Sequence, residues 1–91
     1  SGERKNIKKS LKIAVPENIN YDGLFDEVLA KYTSASRMTG VRIISGGTVT
    51  ELTYAVKIKN VKDTKAFLDE LRTLNANFKI QLQEFVIDDR D

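Results

Sequence analysis

Between Glu51 and Ile58 the chain alternates without a break. Leu52, Tyr54, Val56 and Ile58 take every second position, with Glu51, Thr53, Ala55 and Lys57 between them. Successive side chains of a strand point to opposite faces, so this run is a strand with one buried and one exposed side. Such a strand cannot stand alone: it needs neighbours to pair its backbone and a second layer to cover its apolar side. Ser45-Gly46-Gly47-Thr48 comes shortly before it. Adjacent glycines accept the positive φ that tight hairpins require, so Arg37 to Ile44, with Val41, Ile43 and Ile44, reads as its antiparallel partner.

Two more strands follow from the same period. Leu11, Ile13 and Val15 alternate with Lys12 and Ala14 until Pro16. Phe78, Ile80 and Leu82 alternate with Lys79, Gln81 and Gln83. At Glu84 the alternation slips, and Phe85 and Ile87 take the other parity, which a bulge or a partner surface explains. Between the strands the spacing becomes helical. Asp22 stands as N-cap before Leu24, Phe25, Val28, Leu29 and Tyr32, with Asp26, Glu27 and Lys31 on the outer face, and Thr33–Ser36 breaks the helix. After Asn60 a second stripe runs through Val61, Thr64, Phe67, Leu68, Leu71 and Leu74, and Asn75-Ala76-Asn77 stops it. The order strand, helix, strand, strand, helix, strand predicts an α+β, ferredoxin-like βαββαβ sandwich: a four-stranded antiparallel sheet with two helices on one face. Right-handed crossovers put the first and third strands at its centre.

The 91 residues suit one domain, divided here into a basic lead-in (1–9), the sandwich (10–87) and an acidic tail (88–91). The chain has no His and no Cys. That removes imidazole bases, Ser-His-Asp and Cys-His dyads, and thiolate or histidine metal sites. The absence of disulfides fits a reducing compartment. The net charge is +2, but residues 1–12 carry a net of +4, leaving −2 for the rest. No stretch reaches the ~20 apolar residues of a spanning helix, and the N-terminus lacks the apolar middle of a signal peptide. Ser1-Gly2 reads as a tag-cleavage scar, and the lead-in as a solvated terminus or as the cytoplasmic flank of a transmembrane helix.

Parity leaves one sheet face uncovered. It shows Lys12 and Ala14 on the first strand, Thr53, Ala55 and Lys57 on the third, and Arg42, Ile44, Lys79, Gln81 and Gln83 on the flanking strands. RNA-binding modules of this topology stack bases on aromatics of the two central strands. Here those positions hold Ala and Thr, so no nucleic-acid partner is expected. Small residues there suit a flat partner surface, and a solvated face fits equally well. No metal site or cofactor is expected. The carboxylates read as helix caps and wet faces, and no EF-hand spacing is present. An acylphosphatase site would need an Arg and an anion nest after the first strand, where Pro16-Glu17-Asn18-Ile19-Asn20 stands. No catalytic residue is assigned. Asp22-Gly23-Leu24 ahead of the first helix resembles the ligand-binding turn of ACT regulatory domains, apart from the five-residue insertion Glu17–Tyr21. On that resemblance Asn18, Asp22 and Gly23 are the candidate ligand-binding residues. Asp22 as a simple cap, with Gly23 in the first turn, is the plainer alternative.

A larger block carries a second resemblance: Leu11 to Asn18, Tyr21 to Phe25, Lys31-Tyr32-Thr33, Glu51 to Tyr54, Phe67 to Arg72 and Asn75-Ala76-Asn77. It resembles the C-terminal cytosolic domain of a family of bacterial multi-pass membrane proteins, and covers about residues 8–87. In that family a few transmembrane helices precede a small βαββαβ domain, and members are linked with polyphosphate-polymerase-like or spore-coat-like proteins. With the lack of catalytic groups, the plain open sheet face and the basic N-terminal flank, the resemblance leads to the expectation of a non-catalytic accessory or regulatory domain on the cytoplasmic side of the bacterial inner membrane, acting by protein–protein contact and self-association and joined to the membrane only through an N-terminal transmembrane part. The partner expected is a second copy or another cytosolic protein. The contact residues expected are Ala14, Ile44, Thr53 and Ala55 on the sheet, with Phe85 and Ile87 at its edge. An ACT-like sensor of a small metabolite is the alternative.

Overall fold

A computed structural model describes the backbone of residues 6–87 and the side chains of residues 8–84. Residues 1–5 of the expected lead-in (1–9), the expected tail 88–91, and the side chains of Phe85 and Ile87 lie outside the described residues. The elements run β1 (Asn6–Pro16), α1 (Asp26–Tyr32), β2 (Thr33–Ile44), β3 (Val49–Ile58), α2 (Thr64–Leu74) and β4 (Ile80–Ile87). The sheet order is β2-β3-β1-β4 with every pair antiparallel, so the first and third strands are central, as a ferredoxin-like sandwich requires. Among the described residues no helix is long and apolar enough to cross a membrane.

The core lies between the helices and the two central strands. Leu11, Ile13 and Val15 of β1 and Leu52, Tyr54 and Val56 of β3 are buried against Phe25, Val28, Leu29, Phe67 and Leu71. Burying each such side chain fully contributes about 1.5–3 kcal/mol, so this layer drives the collapse. Ile80 and Leu82 pack against its rim. Phe78, assigned to the core by parity, is not among them: β4 begins only at Ile80, and Phe78 belongs to the turn before it.

Several boundaries differ from the expected ones for reasons of backbone geometry. Gly23 has φ +72°, which no helix interior allows, so the chain makes two turns there and α1 starts at Asp26. Asp22 therefore does not cap the helix; its N–H donates to Asn20 Oδ1 at 3.1 Å. At the other end no loop separates α1 from β2. Thr33 takes an extended conformation, and its hydroxyl donates to the Leu29 carbonyl at 2.7 Å, closing the helix and opening the strand in one residue. Thr33–Ser36 thus ends the helix as expected but belongs to the sheet. Val61 stands outside the α2 stripe, 68% exposed, in a 3-10 turn that Asn60 opens by accepting from the Lys62 N–H. The pairing of β1 with β4 runs from Asn6–Ile87 to Ile13–Ile80 without interruption, so Glu84 marks no bulge. The irregularities lie on β2 instead, between Thr33 and Ala35 and between Met38 and Gly40. β1 also starts earlier than its apolar run, because pairing with Glu84–Ile87 holds residues 6–9 in the sheet.

Candidate functional site

Two surfaces gather the residues singled out from the sequence. The first is the sheet face opposite the helices. Ala14 pairs with Glu51, Glu51 with Arg42, and Ile44 with Val49. These rows stand on the uncovered side, alternating with the buried Ile13, Leu52 and Thr50. Thr53 and Ala55 continue the face along β3, paired with Lys12 and Ser10, and both are half-buried. The expected contact residues Ala14, Ile44, Thr53 and Ala55 therefore share one surface. Phe85 and Ile87 pair with Lys8 and Asn6, register positions that continue the same face; their side chains lie outside the described ones.

At one end of this face is a shallow pocket of about 270 Å³, lined by Lys12, Ala14, Ile44, Val49, Glu51, Phe78, Lys79 and Gln81, with Ser45. Phe78, which strand parity puts on the core side, lines this pocket instead. The charge is one-sided. Lys8, Lys12, Arg37, Arg42, Lys57 and Lys79 occupy open-face register positions, and Glu51 is the one acid among the described residues there. Glu51 is already engaged, accepting from Arg42 Nη2 at 3.0 Å. The helix side carries both signs: α1 and α2 hold Asp26, Glu27, Asp69 and Glu70 together with Lys31, Lys65 and Arg72, and Asp69 and Glu70 are paired with those cations.

The second surface is a cleft of about 360 Å³ ahead of α1, lined by Tyr21, Asp22, Gly23, Asp26, Leu29, Ser36, Arg37, Met38 and Tyr54. It unites Asp22 and Gly23 but not Asn18, which stands exposed in the loop after β1. Gly23 is needed for its positive φ, and Asp26 Oδ2 lies 3.6 Å from where a β-carbon there would be. Tyr54 is 7% exposed and lines this cleft, and among the described residues its hydroxyl has no hydrogen-bond partner. Burial raises its phenol pKa above the ordinary value, and the negative charge of Asp26 and of a Tyr21 phenolate adds to the rise. Asp22 and Asp26 line the same cleft, and Asp26 lies near enough for its charge to act on the phenol. Core parity concealed it in the sequence, since nothing local says that the covering layer stops at the ring edge. No group of three or more carboxylates converges to hold a metal ion among the described residues.

Compared with protein-family models, with curated proteins and with solved structures, the chain matches none.

Proposed function

We propose that this is a non-catalytic accessory or regulatory domain of a bacterial integral membrane protein, acting on the cytoplasmic side by protein contact through its open sheet face. One observation supports the reading above the rest. The centre of that face is built of small, half-buried side chains, Ala14, Thr53 and Ala55, with Ile44, Val49 and Phe78 at one end and, among the described residues, no helix over them. A flat surface of that kind lets another surface approach the backbone closely. The partner is a second copy or a different cytosolic protein.

Light scattering over a concentration series separates the two. A mass of two chains that returns to one on Ala55→Lys supports self-association through this face. A single chain at every concentration overturns self-association and leaves a different protein as the partner.

The cleft favours a second reading, a sensor of a small metabolite, because Tyr54, whose hydroxyl has no hydrogen-bond partner among the described residues, lines it together with Asp22 and Asp26. A metabolite present at 100 times its dissociation constant would stabilise the fold by about 2.7 kcal/mol. A stabilisation screen that finds no such compound overturns this second reading.

A further inference from the structure

We infer that the occupant of the open face is an acidic amphipathic segment of another protein rather than a second copy of this chain. The inference rests on the face being a protein-contact surface and adds what the contact must look like.

Charge decides against a second copy. In a face-to-face pair related by a two-fold axis the same patch meets itself. The basic patch of Lys12, Lys57 and Lys79 would meet the same basic patch of the second copy, and Glu51, the only acid on the face among the described residues, is already bonded to Arg42. Like charges brought together in an interface oppose association and select against that partner. A copy docking by its helix layer brings Asp69 and Glu70 already paired with Lys65, Arg72 and Lys31, and makes a head-to-tail contact that grows with concentration and does not close.

Shape and polarity decide for a protein segment among polyanions. The apolar residues Ile44, Val49 and Phe78 gather at one end of the face, beside Ala14, with Lys12, Lys79 and Arg42 nearby. A segment with leucine-like side chains on one side and carboxylates along its flanks satisfies both features together. Phosphate chains use the cations and leave the apolar end uncovered. Base stacking draws on aromatics from the central strands, where this face presents Ala14, Thr53 and Ala55.

The test is an amide-shift titration of the ¹⁵N-labelled chain with a synthetic helical peptide of about 18 residues (about five turns), Leu on one face and Glu on the other. The comparison probes are the same peptide with Lys in place of Glu, poly(U), and vesicles containing phosphatidylglycerol. The expected result is a set of shifts at Lys12, Ala14, Thr53, Ala55 and Gln81, with affinity falling as salt rises. Lys12→Glu with Lys57→Glu should weaken binding about tenfold or more. Asp63→Lys, on the helix side, should leave it unchanged, and an unaltered amide spectrum for each variant shows that the fold is intact. Equal binding of the Lys peptide, or shifts confined to the helices, overturns the proposal. Tighter binding of poly(U) or of the vesicles overturns it in favour of a nucleic acid or a lipid surface. A dimer abolished by Ala55→Lys overturns it while leaving the face-contact reading intact. Silence of the open face toward every probe, in a chain that stays single, overturns both.

Discussion

Asn75 shows how one residue holds the candidate surface in place. Its side chain is fully buried, and Nδ2 donates to the carbonyl of Ala14 at 2.8 Å and to that of Phe78 at 3.1 Å. Its own N–H closes α2 on the Leu71 carbonyl at 3.1 Å. One amide thus joins the end of α2 to β1 and to the entry of β4, and both carbonyls belong to residues that line the open-face pocket. Asn75→Ala removes the donor and strands two acceptors, which should cost about 1–3 kcal/mol. Asn75→Asp keeps the shape but turns a carboxylate toward two carbonyl oxygens, and should cost more near neutral pH. Burial would raise that carboxyl's pKa above its unfolded value, so its penalty is smallest below the unfolded pKa and grows as pH rises toward the folded one. Urea unfolding of both variants across pH measures this. A loss within about 0.5 kcal/mol for Asn75→Ala would place the residue among ordinary surface positions and remove the role given to it.

At the scale of elements the two helices are clasped through Glu70 of α2. The Tyr32 hydroxyl of α1 donates to its Oε2, and Lys31 Nζ reaches the same oxygen at 2.9 Å. The Tyr32 ring also lies 5.4 Å from that of Phe67. The Tyr32 hydrogen bond, and after it the Lys31 ion pair, hold the Glu70 carboxyl below its ordinary range. The hydrogen bond to Glu70 likewise raises the phenol of Tyr32 and the ammonium of Lys31. Because the Glu70 pKa is depressed on folding, its contribution is present above the unfolded value and lost as pH falls through the folded one. For Tyr32 the pKa is raised, so its contribution is lost as pH rises through the folded value. NMR titration of the Glu70 carboxyl should show its midpoint rising in Tyr32→Phe, and rising less in Lys31→Met. An unmoved midpoint in Tyr32→Phe would mean that the clasp does not form.

The same scale shows what could be read beforehand. Alternation at Leu11–Val15 and Leu52–Ile58 depends only on which side of the strand is covered, and it put Ala14, Thr53 and Ala55 on the correct face. The boundaries that differed depend on contacts distant in sequence. The polar run Thr33–Ser36 has the composition of a loop, and pairing with Lys57 and Ile58 makes it strand. Phe78 and Val61 have core spacing, but each falls just outside the covering layer. Local sequence does not encode where a layer ends, which is also why Tyr54 went unnoticed as a wall of the cleft.

For the molecule as a whole, charge is mixed on the helix side and one-signed on the open side, where cations outnumber the single acid Glu51 among the described residues. That excess has an energetic consequence. The β1–β3 ladder ends at Lys9 with Val56, and Lys8 and Lys57 follow directly on the two strands, so the two cations are cross-strand neighbours at its end. Like charges opposite one another destabilise a sheet. Lys57→Glu replaces that repulsion with attraction and should raise stability by about 0.2–1 kcal/mol at low ionic strength. The gain should shrink in about 1 M salt, where the screening length falls to about 3 Å. Unfolding midpoints at both salt concentrations measure it. The same substitution should weaken binding of the acidic peptide, so one change moves two readouts in opposite directions. Damage to the fold would lower both together, and an inert surface lysine would move neither. A gain in stability with a loss in binding is the signature of a face whose charge is kept at the expense of the fold because a negatively charged partner neutralises it.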